Sequence, residues 1–298
     1  MSLWQTQMPL QKAKVDQWLK KLAIDLPWEG DQGAFIEEFG LGEWSDSLGT
    51  IGSGNHFAEI QKVEKILEPE FAQLLGLLPD KLQLMVHSGS RGLGERILRR
   101  HTDVYGGQGL CETSAEAKKY LASHEEALQF AKANRTLIGR RLLHAIGADG
   151  AMICDMMHNL VVQTESGWLH RKGAAPSDQP FVLIPGSRGD FSYIVRPVSN
   201  AADHGWSLAH AAGRRWDRGS TRSRLEGRYA PASLLKTRLG SRVLCENRDL
   251  LYEEAPQAYK DIDRVIQDLV DAELAKVVAV MRPVLTYKTN GERNRCKC

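Results

Sequence analysis

The chain has 298 residues, 42% of them hydrophobic and 26% charged, with a formal net charge of +2. This is an ordinary globular composition, long enough to bury a core as one large domain or two small ones, and too near neutrality to carry a global nucleic-acid-seeking field. No apolar run of about eighteen residues occurs and residues 1–21 lack a continuous apolar stretch, so neither a membrane span nor a signal peptide is expected.

Residues 1–28 read as a short strand or coil and then a helix. An amphipathic helix is expected around Leu10–Leu22, where Val15, Leu19 and Leu22 recur at helical spacing. Asp31-Gln32-Gly33 and the glycines at 40, 42, 49, 52 and 54 predict a turn-rich stretch. Phe57–Val63 and Lys81–Val86 read as strands, each close to a histidine. Ser114–Ile146 is the clearest helix, its stripe running through Leu121, Leu128, Ile138 and Leu142, with Gly147 as the stop. Strands are expected at Ala151–Met156, Trp168–Arg171 and Phe181–Ile184, and a helix at Ala201–Arg215. Residues 214–248 hold ten basic and three acidic side chains, about +7 locally. A helix over Ala258–Val270, a strand at Val277–Lys288 and a disordered polar tail close the chain. The five cysteines, at 111, 154, 245, 296 and 298, are scattered and odd in number. That argues against a disulfide framework and for reduced thiols in the cytoplasm. No repeat or long linker divides the chain, so one α+β domain is expected.

Three histidines stand where strands pass into turns. His56 lies in Gly52-Ser53-Gly54-Asn55-His56-Phe57, His87 in His87-Ser88-Gly89-Ser90-Arg91-Gly92, and His158 in Asp155-Met156-Met157-His158-Asn159. Side chains so placed leave a sheet and can meet others from distant segments. Imidazole binds borderline divalent metals, and glycines allow a phosphate close to the backbone. Read singly, each histidine is equally a hydrogen-bonded strand-end residue, and no diagnostic ligand spacing joins the three.

The motifs carry more than the count. Leu48 through Ile60, Val86 through Gly94 and Asp155 through Asn159 resemble, in order, the three histidine motifs of the RtcB family of GTP-dependent RNA ligases. Arg171-Lys172-Gly173-Ala174, Ile184-Pro185-Gly186-Ser187, Phe191-Ser192-Tyr193, His210-Ala211-Ala212-Gly213-Arg214, Ala258-Tyr259-Lys260-Asp261 and Lys288 continue the order. The resemblance implies one large domain of mixed β-sheets with flanking helices over residues 1–288, followed by a disordered tail at 289–298. It implies an enzyme that joins an RNA 3′-phosphate or 2′,3′-cyclic phosphate to a 5′-hydroxyl with GTP and Mn2+, acting on RNA with broken ends, tRNA or rRNA. His210 matches the histidine that takes up GMP; His56, His87 and His158 match metal ligands. Asn55, Glu59, Ser187, Ser192, Tyr259 and Lys288 match nucleotide contacts, and Arg91 and Arg214 match arginines that bind phosphates.

The resemblance also has departures. The family's Asp-x-Gly-Cys-Gly-Met motif has a counterpart here only from its methionine, so a truncated chain with weaker metal binding is expected. Arg188 stands where the family usually has Met, Ala211 where it has Gly, and Asp217 where it has Ser; a methyl at 211 could crowd a phosphate and Asp217 could repel RNA. His204-Gly205-Trp206 resembles a subgroup coupled to peptide release factor H. Two alternatives stay open: a catalytically impaired RNA-binding remnant, and a metal-dependent cyclic phosphodiesterase.

Overall fold

A computed structural model describes residues 1–23, 30–43, 45–165, 167–198 and 202–289. In chain order it contains β1 (Ser2–Pro9), α1 (Val15–Leu22), α2 (Gln32–Phe39), β2 (Phe57–Ile66), α3 (Pro69–Leu75), β3 (Lys81–His87), α4 (Gly92–Tyr105) and α5 (Ala115–Ile146). Then follow β4 (Gly150–Asp155), β5 (Asn159–Thr164), β6 (Gly167–Lys172), β7 (Ala174–Pro176), β8 (Val182–Pro185), β9 (Ser192–Pro197) and β10 (Ser207–Ala209). Last come α6 (Arg218–Leu225), β11 (Arg242–Cys245), α7 (Arg248–Glu253), α8 (Ile262–Asp271) and β12 (Ala275–Thr289). This is the α+β class the sequence predicts.

One mixed sheet organises the molecule, in the order β4-β1-β3-β2-β12-β9-β8. The long strand β12 lies along β2 on one side. Its other side pairs first with β9 and then, in parallel, with β11. Alternation along the strands sorts side chains by face. Leu82, Leu84 and Val86 of β3, Ala58 and Ile60 of β2, and Leu285 and Tyr287 of β12 pack under α1 and α5 with Trp18, Ile138 and Leu142. Met85, Met281, Ile194 and Leu3 point the other way, into a second core with Ile262 and Ile266 of α8. The same period puts Glu59, Gln61, His87, Thr286 and Lys288 on this second face.

Helix α5 matches its predicted limits. The Ser114 hydroxyl accepts the Ala117 N–H at 3.0 Å, and Gly147 ends the helix at φ +70°. Elsewhere several expectations are corrected. The helix expected over Leu10–Leu22 is a 3-10 turn (Leu10–Lys12) followed by α1. Asp31, read as a turn residue, caps α2 by accepting the Ala34 N–H at 3.1 Å. The helix expected at Ala258–Val270 begins only at Ile262, behind its cap Asp261.

The largest correction concerns Ala201–Arg215, whose described part is not an α-helix. A 3-10 turn (Ala202–His204) leads into Gly205 and Trp206, at φ +59° and +47°, and then into β10, which pairs with β7. Sheet pairing and positive φ outweigh the alanine-rich helix propensity here. Of the expected tail, residue 289 ends β12 and 290–298 lie outside the described residues.

Candidate active site

The register of the sheet delivers the histidines to one place. His87 ends β3 opposite Phe57, the first residue of β2, so His56 stands beside it. His158 sits in the turn between β4 and β5, and His210 follows β10 directly. Ring centroids of His56 and His87 are 5.7 Å apart, those of His87 and His158 5.0 Å, and His158 and His210 stack at 4.8 Å. All four rings line a cavity of about 570 Å3 that Asn55, Arg214, Arg218 and Tyr259 also line.

Glycine is required at two points beside these rings. Gly52 has φ +96°, and a Cβ there would stand 1.9 Å from an Arg91 nitrogen and 3.0 Å from His56 Nδ1. Gly173 has φ +66°, and a Cβ there would stand 3.0 Å from His210 Cε1. Its N–H donates to the His158 carbonyl at 2.9 Å and to Asn159 Oδ1 at 2.7 Å, tying the His158 turn to His210. Arg91 holds an unusual φ of +55° at the start of α4. Its Nε donates to Thr50 Oγ1 at 2.9 Å.

Two residues that sequence reading passed over hold these loops. Asn134 and Arg135, on α5, are 0% and 2% exposed. Asn134 Oδ1 accepts the Gly49 N–H at 2.7 Å, and its Nδ2 donates to Ser88 Oγ and the Gly89 carbonyl, each at 3.0 Å. Arg135 forks onto Asp155 with two bonds of 2.7 Å and reaches the Ser88 carbonyl at 3.3 Å. One helical turn thus clamps the residues after His87 and the strand end before His158. A buried fork of this kind fixes geometry as much as it adds energy.

Burial, before any neighbouring charge, lowers the pKa of all four histidines. His56 falls to about 4, with Arg91 and Lys288 helping. For His210, a hydrogen bond with the Gly173 backbone opposes the shift and Lys172 adds to it. Neutral imidazoles are the form that binds metal or attacks an electrophile.

As placed, no three His, Cys, Asp or Glu side chains among the described residues enclose an ion. Yet His87 Nε2 and His158 Nε2 face each other at 3.2 Å. Two tetrahedral ligands with bonds of about 2.0–2.1 Å stand about 3.4 Å apart, so this pair is at ligand spacing. The Nδ1 atoms of His56 and His158 are buried without partners. The donors therefore fit a borderline divalent cation held by His87 and His158, with His56 the neighbouring third ring. Cys154 does not join the wall; burial, then Asp155, pushes its thiol up to about 11.

The opposite end of the cavity is charged. Glu254, 2% exposed, accepts from Arg214 at 3.1 Å, Arg218 at 3.3 Å and the Tyr259 hydroxyl, and lies 4.0 Å from Lys288 Nζ. Burial opposes ionisation of its carboxyl, but Lys288, Tyr259 and the two arginines outweigh it and hold the pKa below the usual range. Sequence reading did not single out Glu254. The nearest signal was its place five residues before Tyr259.

Of the other expected nucleotide contacts, Glu59, Ser192 and Lys288 lie in the sheet and Ser187 in the loop between β8 and β9. Lys288 Nζ donates to the Gly54 carbonyl at 2.8 Å, and burial lowers its pKa to about 8. Glu59 accepts from Gln61 at 2.7 Å and from Thr286; Gln61 also donates to Ser192 at 3.0 Å. Burial raises the Glu59 pKa to about 7, against both hydrogen bonds and Lys288. Ser187 donates to Asp190 at 2.6 Å. Glu59, Ser187, Ser192 and Lys288 are thus buried and do not line the histidine cavity, whereas Asn55 is exposed at its mouth. Of the departures, Ala211 lines the cavity, while Asp217 caps α6 through the Ser220 N–H at 2.8 Å.

Fold and site together define an α+β protein whose cavity joins four clustered imidazoles to two arginines that Glu254 holds. A family model described as tRNA-splicing ligase RtcB matches residues 14–289. The chain is 46% identical to the RNA-splicing ligase RtcB2 of Escherichia coli, over 98% of this chain and 78% of that protein. It is 32% identical to the RNA-splicing ligase RtcB of Mycobacterium tuberculosis, over 86% of this chain and 68% of that protein. It is also 32% identical to the tRNA-splicing ligase RtcB of Pyrococcus horikoshii, over 80% of this chain and 32% of that protein. The chain belongs to the RtcB family.

Proposed function

We propose that this chain is an RNA ligase that joins 3′-phosphate or 2′,3′-cyclic phosphate ends to 5′-hydroxyl ends through a guanylylated His210, in RNA repair or tRNA splicing in the cytoplasm. The carrying observation is the stack of His210 on His158 in a cavity that also holds His56, His87 and Arg214. A neutral His210 nitrogen attacks the α-phosphorus of GTP. The N–P bond forms, the bond to the β-phosphate oxygen breaks and pyrophosphate leaves. Where the end is cyclic, water first adds to its phosphorus and the P–O2′ bond breaks to give the 3′-phosphate. That phosphate takes the GMP from His210, and the 5′-hydroxyl displaces GMP to leave a phosphodiester. His56, His87 and His158 hold a divalent cation, Mn2+ in this reading, which neutralises phosphate charge when bound.

Arg214 and Arg91 orient phosphate oxygens with their planar forks. Asn55, Ser187, Ser192, Tyr259 and Lys288 hold the nucleotide. Glu59 accepts from the guanine N1–H and N2 amine, which selects GTP because adenine does not present that pair of donors. Among the described residues no helix is long and apolar enough to cross a membrane. The test is sealing of a nicked tRNA anticodon stem carrying a 2′,3′-cyclic phosphate and a 5′-hydroxyl. Sealing that requires both GTP and Mn2+ is expected; opening of the cyclic phosphate without GTP and without sealing would replace this reading with a phosphodiesterase.

A further inference from the structure

A second cavity, of about 710 Å3, shares the Tyr259 wall with the histidine cavity. Arg215, Lys236 and Lys260 line it, all exposed and none within ion-pair range of a carboxylate among the described residues. The acids on its wall are already engaged. Asp190 takes the Ser187 hydroxyl and Arg238, Asp263 takes the Tyr193 hydroxyl at 2.7 Å, and Asp261 caps α8.

Arg188 backs this cavity. It is 7% exposed, and its Nη2 donates to the Leu251 carbonyl at 2.7 Å, but Nε and Nη1 have no partner. Buried donors left unpaired are costly. Arg188 ion-pairs with no carboxylate among the described residues, and Glu254 acts on it only from a distance. Such a buried guanidinium projects positive potential into the space it backs. The Gln257 side-chain carbonyl, on the same wall, is also buried and unpartnered. The rings of Phe191 and Tyr229 face the cavity too. Cations interleaved with aromatic rings suit a nucleic-acid strand better than a lone anion, because bases stack while phosphates pair.

We propose that the cavity behind Tyr259 binds a backbone phosphate of the RNA strand whose broken end lies at His210. This rests on the ligase reading and adds a site that none of Arg91, Arg214 or the histidines supplies. Tyr259, common to both walls, then separates the reacting end from the strand that leads to it.

The test is binding of a short single-stranded RNA with a 3′-phosphate, measured by fluorescence anisotropy across a salt series on the full chain. The Arg215→Gln, Lys236→Gln double variant alters two exposed side chains and so leaves folding intact. It should bind roughly tenfold more weakly at low salt. Its log-affinity against log-salt slope should be shallower by about 0.7, the amount for one lost phosphate contact on a single strand. Incorporation of label from α-labelled GTP should be unchanged. Lys20→Gln with Lys21→Gln, on α1, serves as the charge control and should keep the wild-type slope. Inorganic phosphate should compete no better than chloride at equal ionic strength.

An unchanged slope in the first variant, an equal loss in the control, or specific displacement by phosphate overturns the proposal. So does loss of GTP labelling with RNA binding intact, which would give the cavity to the nucleotide. If no variant, wild type included, takes label while the slope still falls, the ligase reading fails and the RNA site stands.

Discussion

At the histidine end of the first cavity, four imidazoles are kept neutral by burial and stand ring against ring. At the Tyr259 end, one buried carboxylate, Glu254, gathers two arginines, a phenol and a nearby lysine. The first end is set to donate lone pairs and the second to receive negative charge. They also differ in support. The histidine loops hang from Asn134, which does not line the cavity, and Arg135, which does. The charged end is held by Glu254, which bonds directly to the groups that would meet a phosphate. Substitutions should therefore act at a distance at the first end and through charge at the second.

Removing a ring at the first end should have the largest effect. His87→Ala deletes half of the pair at ligand spacing, and Mn2+ affinity should fall more than the roughly 10–100-fold that losing an outer partner costs. Titration calorimetry with Mn2+ reads this, and unchanged affinity would remove His87 from the metal site. Next comes Arg135→Met, which strands the Asp155 carboxylate. Breaking a buried pair costs about 3–5 kcal/mol, visible in urea unfolding, and Mn2+ affinity should drop within the 10–100-fold range. A loss of stability without a change in metal binding would make Arg135 a purely structural residue.

Glu254→Gln should act at the second end alone. It leaves Arg214 and Lys288 without their shared counter-charge and Arg218 with only Glu253, 3.9 Å away, so the KM for GTP should rise about tenfold while Mn2+ affinity stays. If metal binding falls too, the two ends are not separately supported.

The gentlest probe is pH. Glu59 must be ionised to accept from guanine and Lys288 must be charged to meet phosphate. GTP binding should therefore weaken as pH falls through about 7 and again as it rises through about 8. The sign for folding is separate. A carboxyl whose pKa the fold raises to about 7 favours the folded state below its unfolded pKa, and that contribution disappears as pH climbs past 7. Glu59→Gln should flatten the acid limb of GTP binding, and it should raise the melting temperature relative to wild type more at pH 8.5 than at pH 5.

How far the sequence reached differs between these ends as well. His56, His87 and His158 were legible because each sits beside glycines or small polar residues where a strand ends, and His210 because its motif resembles the family. Their convergence needs the pairing of β2 with β3, of β1 with both β3 and β4, and of β10 with β7. Asn134 and Arg135 were not legible, since polar residues in a long amphipathic helix read as its solvent face, yet both are buried. Glu254 lies among Glu253, Ala255 and Pro256, which reads as a charged turn. Only long-range contacts bring Arg214 and Arg218 to it. The segment before His210 misled for a related reason: Ala201–Arg215 has helix-forming composition, but pairing with β7 and the turn at Gly205 and Trp206 draw it into a strand.

The most direct test of the account is incubation of the full chain with α-labelled GTP and Mn2+, followed by mapping of the labelled peptide. The account predicts one acid-labile, hydroxylamine-sensitive phosphoramidate, on His210, absent from His210→Asn. Stable label on another residue, or none with Mn2+ bound and GTP saturating, would contradict it.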